Sequence, residues 1–141
     1  MKQSSNILFS LFLLCFLFFF STSSIAQTVN FEHLGVEEGL SQSGVTSILQ
    51  DSRGFIWVAT QDGLNKFDGY EFTIYRNKHD DLNSLSTNSL LSICEDKDGV
   101  LWMGTEGGGL CRFDYSKQEF THFTHEPSNP NSLSNNIVRN V

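Results

Sequence analysis

Residues 96–114, DKDGVLWMGTEGGGLCRFD, restate residues 51–68, DSRGFIWVATQDGLNKFD. Asp51, Gly54, Trp57 and Thr60 return as Asp96, Gly99, Trp102 and Thr105, at an offset of 45 residues. From Gly63 and Gly109 onward the offset is 46, and Leu64, Phe67 and Asp68 return as Leu110, Phe113 and Asp114. A repeat at a fixed period determines architecture before any single residue does, because each unit must bury its apolar face against the next.

The flanks repeat as well. LSQSGVTSILQD (residues 40–51) aligns with LSTNSLLSICED (85–96), and EFTIY (71–75) with EFTHF (119–123) after a two-residue insertion in the second copy. A third copy opens at Leu133 with LSNNIVRNV. The unit is thus about 45 to 48 residues, within the ~40 to 50 of propeller blades.

Four strands are expected per unit. In the first they fall at residues 45–50, 55–60, 64–67 and 72–76, punctuated by Ser52-Arg53-Gly54, Asp62-Gly63 and Asp68-Gly69. The second strand is apolar on both faces and should be central; the turns carry the residues that tight turns require. The second unit has Asp98-Gly99, Gly107-Gly108-Gly109 and Tyr115-Ser116-Lys117 at the matching places. Residues 28–34, TVNFEHL, resemble the fourth strand of each unit and read as an outer strand that closes a ring. The expected fold is all-β: four-stranded antiparallel β-propeller blades forming an incomplete propeller. The expected organisation is a signal peptide at residues 1–26, a closing strand and lead-in at 27–39, repeats at 40–84 and 85–132, and the start of a third at 133–141.

The first 26 residues have the three parts of a secretory signal: Lys2, an apolar run over residues 7–20, and Ser24-Ile25-Ala26 before the cut. The run holds 14 residues, whereas a spanning helix needs about 20. Without Lys2, 8 basic residues face 16 acidic ones. That balance, with no Lys/Arg cluster, excludes a nucleic-acid surface. Cys94 and Cys111 fall on the first and third strands of one unit. A meander would put a strand between them, roughly 9 to 10 Å of separation, too far for a disulfide.

A catalytic constellation is assembled once, so residues that recur in every unit read as structure. The carboxylates Asp51, Asp96, Asp68 and Asp114 are assigned to turns. Trp57 and Trp102 are assigned to packing between blades. The Gly107–Gly109 run lacks the Gly-Lys-Ser/Thr ending of a phosphate loop. Asp96 and Asp98 lack the ligand set of a calcium loop. His122 and His125 lie three apart on a strand and face opposite ways. No catalytic residue, metal or cofactor is expected. The remaining candidates for ligand contact are non-repeated loop residues: Arg53 in a turn, and Arg76, Lys78, His79, Asp80 and Asp81 in the first linker.

The pattern I-x-x-D-x-x-G-x-x-W-x-x-T, followed by G-L-x-x-F-D, resembles the two-component regulator propeller repeat. With its leader, the chain is similar to the amino-terminal start of the large hybrid sensor histidine kinases of Bacteroidetes-type bacteria. The resemblance implies a periplasmic sensory segment that binds oligosaccharides. Its parent would be dimeric, anchored at the periplasmic face of the inner membrane, and contribute the remaining blades; kinase activity would belong to the parent. Two other readings fit the same strands: a fragment of a secreted propeller hydrolase or lyase, and a structural or adhesive repeat protein. Propellers have typically 4 to 8 blades, so the chain reads as an amino-terminal fragment. Alone, with fewer than the ~3 units such repeats need, it is expected to be aggregation-prone or loosely packed.

Overall fold

The computed structural model describes residues 29–141. The signal segment lies outside the described residues. Within residues 33–141 the chain forms eight strands. These are β1 (Val45–Gln50), β2 (Ile56–Thr60), β3 (Gly63–Phe67), β4 (Phe72–Tyr75), β5 (Leu90–Glu95), β6 (Leu101–Thr105), β7 (Leu110–Asp114) and β8 (Glu119–Phe123). They make two four-stranded antiparallel meanders, β1-β2-β3-β4 and β5-β6-β7-β8. These are two blades of an incomplete propeller. Residues 29–35 form no strand.

The registers of the two blades match. Trp57 sits between Leu49 and Lys66, and Trp102 between Cys94 and Arg112. Each first strand is bulged at the same place, between Val45 and Ser47 and between Leu90 and Ser92. At the first bulge the Thr46 hydroxyl points at two carbonyls. One is Ala59 of its own blade at 3.1 Å, the other Leu90 of the next at 2.9 Å. Extra twist at a bulge is what lets an inner strand bend toward its neighbour.

Side chains alternate across each sheet. On one face of the first blade lie Leu49, Trp57, Ala59, Leu64 and Tyr75; on the other lie Ile48, Ile56, Val58, Phe67 and Phe72. The second blade presents Ile93, Leu101, Met103, Cys111, Phe113 and Phe120 to the Trp57 face, and these side chains form a single buried cluster. The core is therefore the seam between the blades. Trp57 is completely buried there. It meets Phe113 edge-on at 5.6 Å and lies against Tyr75 at 5.9 Å, while Phe113 and Phe120 touch at 4.8 Å. Fully burying side chains of this kind stabilises by about 1.5–3 kcal/mol each relative to exposure.

Cys94 and Cys111 flank β6, opposite Trp102 and Met103 respectively, and both are free thiols. The intervening strand separates them, as the meander requires.

Candidate functional site

The repeated motif is a turn clasped by a carboxylate. The Asp51 Oδ1 accepts from the backbone N–H of Arg53 at 3.0 Å and of Phe55 at 2.9 Å, while Oδ2 accepts from the Trp57 indole at 2.8 Å. In the second blade Asp96 accepts from Asp98, Val100 and the Trp102 indole at 2.9, 3.0 and 2.8 Å. The turn role follows the expectation. The indole bond, six residues on, was not anticipated, although the fixed Asp-x5-Trp spacing carried its signal. These bonds occupy the carboxylate that a calcium loop would need.

The second turn of each blade is set by a threonine and a glycine. Thr60 Oγ1 donates to the Gly63 carbonyl at 3.0 Å, and Thr105 Oγ1 to that of Gly109 at 2.7 Å. Gly63 has φ of +118°, and a Cβ there would meet the Tyr75 carbonyl oxygen at 2.5 Å. The third turn is held by Asp68, whose Oδ1 accepts from Tyr70 and Glu71 N–H, and by Asp114, which accepts from Ser116 and Lys117.

The ionisable groups are tuned for structure. Asp96 is held below the usual carboxylate range chiefly by the Trp102 indole, Asp114 chiefly by the Ser116 hydroxyl and Asp68 chiefly by the Glu71 backbone N–H. Burial pushes the Cys94 and Cys111 thiols up. A general acid needs a raised carboxyl and a nucleophile needs a lowered thiol; each shift runs the other way. His122 Nε2 bonds the Ser84 carbonyl at 2.7 Å and His125 Nδ1 that of Leu133 at 2.6 Å. No group of three potential metal ligands converges among the described residues.

The antiparallel meander sorts the candidate ligand contacts between two ends of the sheet. Arg76 follows β4 at the end of the β2–β3 turn, and its guanidinium pairs with Asp62 at 2.9 Å. Both side chains are about two-fifths exposed (44% and 41%), so the pair contributes at most about 1 kcal/mol. Arg76, Lys78 and Asp81 line a groove of about 110 Å³ with Tyr75, Ser84 and Gln118. His79 and Asp80 stand exposed between them in the linker. Arg53 lies at the opposite end, in the β1–β2 turn, with its guanidinium 4.3 Å over the Tyr115 ring. The structure thus gathers five of the six and sets Arg53 apart in the blade seam.

The linkers themselves repeat, which their sequences conceal. The Lys78 N–H donates to Ser84 Oγ, and that hydroxyl donates to the Asp81 carbonyl; Glu126, Ser132 and Asn129 reproduce the pattern. The Asn77 N–H donates to the Asn88 side chain at 2.7 Å, and the His125 N–H to that of Asn136 at 2.6 Å. Asn77 Nδ2 reaches the Leu85 carbonyl as His125 Nδ1 reaches that of Leu133. Ser84 and Asn88 are matched by Ser132 and Asn136 at an offset of 48, and with the backbone and the Asn77 or His125 side chain they fold otherwise unlike residues into one loop.

A larger groove, of about 470 Å³, opens on the far face of the second blade. It is lined by Trp102, Leu110 and Phe123, with Glu126, Asn129 and Ser132 at its rim. It corresponds position by position to the 110 Å³ groove: Tyr75, Lys78, Asp81 and Ser84 become Phe123, Glu126, Asn129 and Ser132 at an offset of 48. The smaller groove is what remains when the next blade has inserted Phe120 and Gln118.

Four-stranded antiparallel blades on an Asp-Gly-Trp turn, seamed through their aromatic faces, define a propeller segment. The two-component regulator propeller repeat matches residues 39–62 and 84–107, the two clasped turns with their inner strands. The chain is 50% identical over 70 residues to histidine kinase P4 of Formosa agariphila, a match over 48% of this chain and 5% of that protein. It is 38% identical to the extracellular domain of the hybrid two component system BT3049 from B. thetaiotaomicron. That structure matches with a TM-score of 0.69 over 75% of this chain and 15% of its own length. The extracellular domain of the hybrid two component system BT4673 from the same organism matches at 27% identity and a TM-score of 0.55, over 69% of this chain and 14% of that one. The chain is a propeller segment homologous to the extracellular regions of two-component sensors. It spans a small part of each relative, 5% of the kinase and 14–15% of the two solved extracellular domains.

Proposed function

We propose that this chain is the sensory, ligand-binding segment of a two-component signal-transduction regulator, exported to the periplasmic face of the inner membrane, whose parent responds to oligosaccharides. The observation that carries the reading is the 38% identity, over three-quarters of the chain, to the extracellular domain of a hybrid two component system. In such a parent, further repeats cover the two open blade faces, residues 27–39 lead in with a strand that closes the ring, and two copies act together. The polar linker, with Arg76, Lys78, His79, Asp80 and Asp81, supplies hydrogen-bond donors and acceptors of the kind sugar hydroxyls take, on a rigid scaffold.

The test has two parts. Following the reading frame beyond Val141 should reveal more Asp-x-x-Gly-x-x-Trp units, a membrane span and a kinase; a stop there removes the signalling output. Titrating the parent's extracellular domain with oligosaccharides from hydrolysed polysaccharides should give saturable heat for one class. Loss of that heat in Arg76→Ala/Lys78→Ala supports the linker as contact, and no heat with any class refutes glycan sensing.

A further inference from the structure

The groove of about 110 Å³ lies at the junction of the two blades, and this chain supplies both of its walls. One wall is the first linker, with Lys78 and Asp81; the other is the start of β8 and the turn before it, with Phe120 and Gln118. The walls are joined. The Phe120 N–H donates to the Asn83 carbonyl at 2.8 Å, and His122 Nε2 bonds the Ser84 carbonyl at 2.7 Å. Linker and outer strand therefore form one frame around the groove.

Gln118 is the unusual residue of that frame. Its φ is +59°, and no other non-glycine among the described residues has a positive φ. A side chain is uncommon there, and the conformation persists only where the surroundings hold it. The first blade puts Gly69, at φ +101°, in the corresponding turn, so the turn itself has a less strained solution. What holds Gln118 is its own amide. Its Oε1 accepts from the Tyr75 hydroxyl at 2.8 Å, and its Nε2 donates to the Tyr115 carbonyl at 2.8 Å. Neither the hydroxyl nor the amide recurs: Phe123 stands at the position of Tyr75, and Tyr70 at that of Gln118. A polar pair that is strained, unrepeated and placed in a groove has the marks of a binding contact.

We infer, on the oligosaccharide reading above, that Gln118 is a specificity-determining contact of the linker site and reads two neighbouring hydroxyls of one sugar ring. An amide has two N–H donors and two acceptor lone pairs. With Tyr75 and Tyr115 satisfied, one donor and one acceptor remain, fixed in direction, and a vicinal diol offers their complements. Across the groove Asp81 gives Oδ1 to the Asn83 N–H and keeps Oδ2 for the ligand. Arg76 with Asp62 is the one ion pair among the described residues, so no partner there neutralises Lys78 or Asp81. The cavity is smaller than the ~300 Å³ of sites that enclose a whole small ligand; it takes the edge of one ring. Tyr75 is a positioning residue, whose hydroxyl aims the amide.

The test titrates the parent's extracellular domain calorimetrically with oligosaccharides from hydrolysed polysaccharides, as wild type, Gln118→Gly, Tyr75→Phe and the double variant. Glycine accepts the left-handed backbone, so Gln118→Gly removes the amide and keeps the turn; Trp57 fluorescence verifies the seam in each variant. Gln118→Gly should weaken binding by about tenfold or more, through two lost hydrogen bonds. Tyr75→Phe should weaken it by about threefold and add nothing in the Gln118→Gly background, a coupling that a merely structural hydroxyl would not show. Wild-type binding that Gln118→Gly leaves within about twofold overturns the inference while the oligosaccharide reading stands. Losses that add fully in the double variant overturn it likewise. A wild type that gives no heat removes both.

Discussion

Trp57 and Trp102 occupy the same position of the same motif, and each donates its indole proton to an aspartate at 2.8 Å. Around Trp57 close Tyr75, Phe113 and Tyr115; Trp102 has Phe123 at 5.7 Å and an open groove beyond. The local frame is therefore complete within one blade, whereas packing is supplied by the next. What a repeat residue contributes depends on whether its neighbour is present.

That contrast can be broken most strongly at the tryptophans. Trp57→Ala should destabilise the chain by about 3–5 kcal/mol, as for large core truncations, read as a fall in the urea midpoint. Trp102→Ala should cost clearly less, and equal losses would show that packing across the seam is not what distinguishes them. At the clasp, Asp51→Ala leaves a buried indole N–H without its acceptor, a loss of about 1–3 kcal/mol. The same change at Asp96 should cost less, because water reaches the half-buried Trp102, and a double-mutant cycle with Trp57→Phe isolates the bond. Gly63→Ala should cost at least about 1 kcal/mol, since positive φ and the Tyr75 carbonyl both oppose a side chain there. Tyr115→Leu should cost about 0.5–1 kcal/mol through the lost cation contacts. Tyr70→Leu, in the exposed turn, should leave the unfolding of dilute monomer unchanged.

The gentlest lever is pH. Asp68, Asp96 and Asp114 have folded pKa values below their unfolded ones. Their contribution is fully present above the unfolded carboxylate pKa near 3.9 and is lost as pH falls through the lower, folded values. Urea midpoints taken from pH 5 to pH 2 should decline, and Asp114→Asn should flatten part of that decline; a midpoint that rises on acidification contradicts the assignment.

The strands of the first unit were legible because their signals are local: apolar runs and Gly-containing turns bounded all four within a residue, and the repeat carried the same pattern to the second unit. The turn role of Asp51 and Asp96 was legible from recurrence. The like conformation of the linkers was not, because NKHDDLNS and THEPSNPNS share few side chains and the repeated bonds run through backbone and Ser84 or Ser132. Nor could spacing show that Arg53 belongs to the seam while Arg76 lies at the far end, since that separation comes from the direction of the strands.

Two adjacent carbonyls hold the blades to one another at their inner ends. The Asn88 carbonyl accepts from Gly63 in the first blade, and the Ser89 carbonyl from Glu106 in the second. A single peptide step thus belongs to both blades, and it is made of main-chain atoms alone. Side chains add to this join, with the Thr46 hydroxyl on the Leu90 carbonyl at 2.9 Å and the Ser52 hydroxyl on the Glu95 carboxylate at 2.6 Å, so the hinge between the blades is stitched along its length by both kinds of atom.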